Sequence, residues 1–488
     1  MRISLLESKG RFIFRICLTF AVVLGNLTMI SSASADNLKD CRIQPSQWNI
    51  VSLGFPLRNE RLANFKNPKV LVLPFQLKGE PPIELSQSER LTFAMVAQDV
   101  RDFSANLNSP EIIINKPIEV PWTSSELDEV KINVQNTWGK DFSNSTYGFV
   151  EKVIKFSDSV IDFRGIDAVL LYGKSSSAKQ EIAEAMMFTS GQMLTNNAKR
   201  ADGAKWFDPI STNEGLISNF SLLYNRAERE VITHELMHLY GLTDLYGSAT
   251  GPGRLSLMSN NTLNLLSYEK WVLGWLPGDE VQCLTNVMAN KIHKISIDNS
   301  KANQVVVIRT SEQEDYVIET TKVDGKRYLA FYSINNDLRP PLTLFQESGF
   351  NQSGGIEIED YTVLGTQLRA PKFTLFVSSF DSSSTTLHLA PTSLVSSNEF
   401  KEIATKTWET RSKIVQEIEQ RFAAEAKAAA EKVAAESKMA AEKAAAESKA
   451  PASKLSNLKK VTITCTKGKI VKKVIGIKPK CPSGFKKR

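Results

Sequence analysis

Histidine is scarce in this chain. Only four of the 488 residues are histidine, at positions 234, 238, 293 and 388. Two of the four are spaced four residues apart, in the segment His234-Glu235-Leu236-Met237-His238. Side chains four apart lie on one side of a helix, so this spacing brings two imidazoles together. His293 and His388 have no such partner, and we predict structural roles for them.

Long apolar runs are also lacking. Crossing a bilayer takes about 20 apolar residues, and the run at 16–27 falls short of that. Four basic residues precede this run, and Ala33-Ser34-Ala35 follows it as a small-residue cleavage pattern. The sequence therefore predicts a signal peptide over residues 1–35, a mature chain that begins at Asp36, and an exported, extracellular protein. An uncleaved membrane anchor is the alternative.

Cysteines are few. Cys17 would leave with the signal, and the remaining four, Cys41, Cys283, Cys465 and Cys481, allow three pairings. Cys465 and Cys481 lie in one short terminal segment, so we predict that they pair. Cys41 and Cys283 would then form the second disulfide.

Acidic residues are absent from residues 451–488, which contain twelve Lys or Arg. The net positive charge of the protein is therefore concentrated in residues 451–488. Such a tail suits an anionic cell-wall polymer or membrane surface, with an affinity that falls as salt screens it. No nucleic-acid recognition fold accompanies the charge, which argues against a nucleic-acid partner.

Glycine and proline are absent from residues 396–450, where Ala, Lys and Glu dominate. Residues 428–438 recur as 439–449, and an eleven-residue period corresponds to three helical turns. Ser396 and Glu399 have the spacing of a capping box at the start. We predict one long helical spacer, with a coiled-coil oligomeriser as the alternative; the repeat lacks the large residues of a stable coiled-coil seam.

Residues 225–246 carry the clearest chemistry. Asn225 and Glu228 predict a capped helix start, residues 226–240 contain no glycine or proline, and Gly241 predicts the end. His234 and His238 on this helix can bind one zinc ion, and Glu235 is placed to act as a general base on a zinc-bound water.

Catalytic zinc normally has three protein ligands and one open position. Gly241 can turn the chain back towards the metal, and Asp244 is the only acidic residue between His238 and Met258. Asp244 is the predicted third ligand, and Glu269 is the alternative.

The segment H-E-L-M-H-L-Y-G-L-T-D-L-Y, residues 234–246, resembles the zinc signature of the immune inhibitor A family of secreted bacterial metallopeptidases, a branch similar to the metzincins. The resemblance implies that Met258, in a methionine turn, lies beneath the metal. Residues 267–276 resemble the helix that follows this turn in the family. Residues 70–75, 145–148 and 166–171 also resemble segments of this family. The resemblance as a whole covers about residues 68–290. Thr243 stands where the family usually has proline, which makes the loop after the helix less rigid.

The expected fold class is α+β, with a metzincin-like peptidase domain in which helices back a twisted sheet. The expected divisions are the signal (1–35), an N-terminal segment without assigned function (36–67), the zinc peptidase domain (68–290), a small antiparallel β domain (291–395), the helical spacer (396–450) and a basic Cys-bracketed module (451–488). Strands of the β domain are predicted at 305–310, 315–320, 328–333, 372–378 and 385–389.

Residues 314–319 resemble a strand that follows the catalytic domain in that family. Their carboxylates are a candidate structural calcium site, against the alternative of a solvated strand face.

These features together predict a secreted zinc endopeptidase that hydrolyses protein or peptide substrates with metal-activated water. The alternative is a catalytically silent surface adhesion protein on a peptidase scaffold. A zinc hydrolase of non-peptide substrates would keep the same ligands. The sequence does not specify an oligomeric state.

Overall fold

The structure is a computed structural model of the chain. It describes residues 35–46, 52–80, 84–121, 142–173, 188–189, 209–224, 228–246, 249–260, 262–285, 287, 290–345, 355–358, 360–448 and 459–488. The predicted signal peptide, apart from its last residue, lies outside these ranges. Contacts divide the chain into two compact units, Met1–Arg411 and Ser412–Arg488. The protein is mixed α/β, with several sheets and a long C-terminal helix.

The first sheet of the larger unit is mostly parallel. It contains β1 (Lys69–Leu77), β2 (Glu111–Ile114), β3 (Ile118–Val120), β4 (Ala168–Gly173), β5 (Phe188–Thr189) and β8 (Phe220–Tyr224). The order is β2-β1-β4-β8-β5, and β3 also pairs with β1. The edge strand β5 is antiparallel to β8, whereas the other pairs are parallel. The small strands β6 (Ile210–Ser211) and β7 (Leu216–Ile217) pair with each other.

Helices cover both faces of this sheet, because β1 is apolar on both sides. Val70 and Val72 belong to a core that includes residues of α1 (Gln87–Phe103). Leu71 and Leu73 belong to a second core with residues of α2 (Phe142–Ser157). A continuous apolar run is typical of a parallel strand that is buried on both faces. The apolar runs at 70–75 and 166–172 each predict a strand, and β1 and β4 confirm both.

Three further helices follow the first sheet. They are α3 (Arg229–Tyr240), α4 (Leu257–Asn260) and α5 (Ser267–Val272). The periodicity of residues 89–107 predicts a helix, and α1 covers this range as far as Phe103, with Ser86 and Glu89 forming a capping box at its start. The same periodicity predicts a helix at 125–138, which lies outside the described residues.

The predicted antiparallel strands after residue 291 are all present, in two sheets. One sheet contains β9 (Val281–Leu284), β11 (Gln304–Arg309), β12 (Glu314–Val323), β13 (Lys326–Asn335), β14 (Leu342–Leu344) and β15 (Ile356–Glu357). The other contains β10 (His293–Asp298), β16 (Gln367–Arg369), β17 (Phe373–Phe380) and β18 (Ser384–Pro391). Only the β9–β11 pair is parallel among the described strands of these two sheets.

The first of these two sheets is buried on both faces. Val305 and Val307 of β11 belong to the core that also contains α3 and α5 residues. Val306 and Ile308 belong to the core formed with the second sheet. The β sheets therefore share a hydrophobic core with the helices of residues 229–272.

The N-terminal segment is part of this shared core. Its buried apolar side chains include Leu38, Cys41, Ile43, Leu53, Phe55 and Leu62. Phe55 packs on Trp271 with ring centroids 4.5 Å apart, and Cys41 forms a disulfide with Cys283, as predicted. This segment thus packs as an integral part of the larger unit.

The long helix α6 spans Asn398–Ser448. The Oγ atom of Ser397, not that of Ser396, accepts a hydrogen bond from the backbone N–H of Phe400. The predicted cap therefore lies one residue too early. Among the described residues, no helix is both long and apolar enough to cross a membrane.

The end of the smaller unit is a three-stranded antiparallel sheet. β19 (Val461–Lys467) lies between β20 (Ile470–Gly476) and β21 (Lys486–Lys487). Cys465 and Cys481 form a disulfide, which confirms the second predicted pairing.

Candidate metal centre

The helix that carries the two close histidines is α3. It begins at Arg229, three residues later than the predicted start at 226, because Glu228 has an extended backbone and makes no side-chain cap. Asn225, the predicted cap, lies outside the described residues. The helix ends at Gly241, as predicted, where φ is +121° and the N–H bonds to carbonyls of the last turn. A positive φ of this kind favours glycine.

Three side chains converge at the end of α3. His234 Nε2 lies 3.1 Å from Asp244 Oδ1, and His238 Nε2 lies 3.2 Å from the same oxygen. The potential ligand atoms of the three residues all lie within 4.8 Å of one another. Among the described residues, these three form the one group of His, Cys, Asp or Glu side chains that could hold a metal ion. The structure therefore brings together the three predicted ligands.

The outer nitrogens of both imidazoles are held by backbone carbonyls. His234 Nδ1 lies 3.0 Å from the Leu257 oxygen, and His238 Nδ1 lies 2.8 Å from the Leu242 oxygen. A carbonyl only accepts, so each Nδ1 donates its proton to the carbonyl and each Nε2 is directed at the centre. Backbone partners of this kind orient the histidine ligands of metal sites.

Both Nε2 atoms and the Asp244 carboxylate oxygen meet at one point. Because both Nδ1 atoms already donate to carbonyls, the Nε2 atoms and this oxygen can approach so closely only with a proton or a cation between them. His238 Nε2 is buried and, within the described residues, has no aligned hydrogen-bond partner despite its closeness to Asp244. A metal ion bound by all three atoms would satisfy this nitrogen. The donor set therefore fits a metal ion.

The charges of the site agree with that fit. Burial opposes ionisation of His238, but the negative charges of Asp244 and Glu235 outweigh it and raise the pKa of His238 to about 9. Burial also opposes ionisation of Asp244, yet the two histidines hold the pKa of this carboxyl far below its usual value. Positive charge is thus favoured at the point where the three side chains meet.

Glu235 and Met258 are both buried next to the ligands. Glu235 follows His234 directly on α3 and is 1% exposed. Met258 lies in α4, and its carbonyl accepts a hydrogen bond of 2.8 Å from the N–H of Leu245. This bond connects the turn at residues 256–258 to the loop that carries Asp244.

Glu269, the alternative third ligand, lies outside the group. Its carboxylate accepts hydrogen bonds from the Leu266 N–H at 2.8 Å and from Ser256 Oγ at 2.9 Å. Ser256 in turn accepts from the N–H of Met258 at 3.0 Å. Glu269 therefore anchors the turn at residues 256–258 through Ser256.

Tyr246 and Arg339 are additional neighbours that the sequence reasoning did not single out. The Tyr246 ring stacks on His234 with centroids 6.1 Å apart. Burial, and then the charges of Asp244 and Glu235, raise the pKa of Tyr246 above its usual value, and its hydroxyl bonds to Asp244. Burial lowers the pKa of Arg339, while the charge of Asp244 raises it. Tyr246 lies inside the signature segment, but no sequence signal points to Arg339.

The candidate calcium carboxylates have separate protein partners. Glu314 pairs with Lys372, and Asp315 pairs with Arg309 at 3.3 Å. Glu319 accepts hydrogen bonds from the backbone N–H groups of Ser267 and Tyr268 and from the Tyr332 hydroxyl. These three residues form no metal-binding group within the described residues.

No protein-family model and no curated protein matches this chain in the comparisons. The geometry of the centre and the chemistry of its side chains therefore carry the functional argument.

Proposed function

We propose that the protein is an exported zinc endopeptidase in which His234, His238 and Asp244 hold the metal and Glu235 is the general base. One observation carries the proposal. Two imidazole Nε2 atoms and one carboxylate oxygen converge on a buried point, and the Nδ1 atoms of both rings are hydrogen-bonded to backbone carbonyls.

Zinc suits this donor set better than the hard cations. Imidazole nitrogens favour zinc and other transition metals, whereas magnesium and calcium prefer all-oxygen sites. Two histidines and one carboxylate leave a position open for water or substrate, which is the pattern of catalytic zinc. When bound there, zinc would polarise a substrate carbonyl and make water more acidic.

The remaining steps belong to the side chains of this chain. Glu235 is next to a ligand on the same helix, so its carboxylate accepts the proton of the attacking water. The same group then delivers that proton to the leaving amine nitrogen. Asp244 and the two carbonyl acceptors hold the imidazoles in place.

A peptide substrate is favoured by the resemblance of residues 234–246 to the immune inhibitor A signature. The mostly parallel sheet backed by helices supports the metzincin-like architecture that this resemblance implies. The two disulfides support export, because such bonds persist in oxidising compartments. A silent adhesion protein would have no use for a buried carboxylate beside a metal site.

The test compares cleavage of a broad peptide library by wild-type protein and by Glu235→Gln, with and without a chelator. Glu230→Gln is a matched control, because Glu230 lies on the same helix outside the metal group. We expect wild type and Glu230→Gln to cleave peptides, to lose this activity with the chelator and to regain it with added zinc. Glu235→Gln should cleave none. Equal activity of wild type and Glu235→Gln would overturn the proposal. A zinc-loaded wild type that cleaves no peptide would favour the adhesion protein or the non-peptide hydrolase.

A further inference from the structure

The C-terminal sheet has two faces of different character. Alternation along β19 and β20 puts Ile463 and Cys465 on one face, and both are buried. The segment that returns from β20 to β21 lies over this face. Cys481 in that segment bonds to Cys465, and the Lys472 Nζ atom lies 5.5 Å from the centre of the Phe485 ring. We call this the covered face.

The opposite face is defined by Thr462, Thr464, Thr466, Val471, Lys473, Ile475 and Lys486, which register pairs place on one side of the sheet. We call it the open face. Val471 is 55% exposed and Ile475 is 65% exposed. Lys473 and Lys486 are exposed beside them. Exposed β-branched apolar residues therefore alternate with lysine along β20.

The charge around this face has one sign. Residues 459–488 contain eleven Lys or Arg and no Asp or Glu. Two copies of such a module repel each other, so self-association through the open face is disfavoured. An anionic partner is complementary to the module.

We propose that the open face docks on the surface of an anionic phospholipid bilayer. Lipid phosphates neutralise the lysines, while Val471 and Ile475 enter the boundary between headgroups and acyl chains. A polyanionic polymer would use the lysines but would leave both apolar side chains in water. The exposed apolar pair is the feature that favours lipid. This docking is independent of the zinc site.

The experiment is co-sedimentation of full-length protein with vesicles of phosphatidylcholine alone or of equal parts phosphatidylcholine and phosphatidylglycerol. We expect binding to the anionic vesicles only, and release at high salt. Val471→Thr/Ile475→Thr should bind about tenfold more weakly, because it removes apolar surface without changing charge. The matched control is Val461→Thr/Ile470→Thr, since these exposed residues lie on the covered-face side of the same strands. The control should bind like wild type.

A second pair of variants separates apolar insertion from charge. Ile475→Lys and Ile470→Lys add the same charge at exposed positions on opposite faces. We expect Ile475→Lys to weaken binding despite its added charge, and Ile470→Lys to strengthen it. Free-thiol titration verifies that each variant keeps the Cys465–Cys481 disulfide.

Three results would overturn the proposal. One is that wild type does not sediment with anionic vesicles. Another is that both lysine variants strengthen binding equally, which would show attraction by charge alone. The third is retention by inorganic polyphosphate together with unchanged vesicle binding of the open-face variant, which would identify a polymer partner.

Discussion

At the scale of single residues, Asp244 is the proposed ligand whose carboxylate contacts both histidines. Its carboxylate oxygen is about equally far from both Nε2 atoms, and it is held ionised by the two histidines. An amide at this position would bring no negative charge to a metal ion.

Asp244→Asn should therefore weaken zinc binding by at least about a hundredfold, by analogy with losses of about 10–100-fold for mere supporting residues. Competition with a chromophoric chelator measures the affinity. Asp279→Asn is the control, because Asp279 is a largely exposed carboxylate in an ion pair with Lys301. Equal zinc affinity of Asp244→Asn and wild type would remove Asp244 from the ligand set.

Much of the site was predictable at this scale, and the reason is local geometry. His234 and His238 are four residues apart on one helix, and Asp244 follows a glycine turn, so sequence spacing determines their approach. Arg339 lies in the β13–β14 connection, and its electrostatic interaction with Asp244 depends on long-range folding that no sequence spacing encodes.

At the scale of elements, the end of α3 directs the chain towards the metal. A Cβ atom on Gly241 would lie 3.0 Å from Leu57 Cδ2, and φ at this position is +121°. Gly241→Ala should therefore destabilise the fold by about 1–3 kcal/mol. Gly79→Ala is the control for positive φ alone, because nothing lies within 4 Å of its Cβ position. Chemical denaturation measures the free energy of unfolding of both variants. A smaller loss of this free energy in Gly241→Ala than in Gly79→Ala would be inconsistent with a contact between the new Cβ atom and Leu57.

The Glu269 carboxyl group that anchors residues 256–258 introduces a pH dependence. Burial, helped by the charge of Glu319, raises the pKa of Glu269 from 4.5 to about 8, despite opposing hydrogen bonds from Leu266 and Ser256. Burial likewise raises the pKa of Glu319 to about 7. Because the pKa of Glu269 is raised in the folded state, the contribution of this group to stability is complete below pH 4.5. It is lost as the pH rises through about 8.

We therefore expect the urea unfolding midpoint to fall between about pH 5 and pH 8.5. Glu269→Gln should show a smaller fall, because one of the two raised carboxyl groups is gone. The opposite finding, an equal or steeper fall in the variant, would exclude Glu269 as a source of the pH dependence.

Element prediction succeeded where a pattern was long and regular. The strands of residues 305–389, β1 and the long helix have clear apolar or alanine-rich patterns. Helix starts were less accurate, because Ser396 and Ser397 are equivalent in sequence and Glu228 does not cap α3. The role of residues 36–67 escaped prediction, since their apolar residues have no period and find their core partners in distant strands.

At the scale of the whole molecule, the disulfide between Cys41 and Cys283 connects residues 242 positions apart. It joins the N-terminal segment to β9, so it restricts most of the larger unit in the unfolded state. Cys41→Ser/Cys283→Ser should lose about 2–5 kcal/mol of stability.

The matched control is Cys465→Ser/Cys481→Ser, which removes a bridge across only 16 positions. We expect the control to leave the unfolding midpoint of the larger unit unchanged, as followed by the tryptophans of that unit. A loss of the same size in both variants would contradict a specific role for the longer loop.

The most direct test of the zinc centre is the metal content of purified protein after zinc loading and exhaustive dialysis, measured by plasma mass spectrometry. The account predicts about one zinc per chain in wild type and in Glu235→Gln, since Glu235 is not a ligand, and far less in His238→Ala. Zinc-free wild type, or a His238→Ala variant that retains as much zinc as wild type, would contradict it.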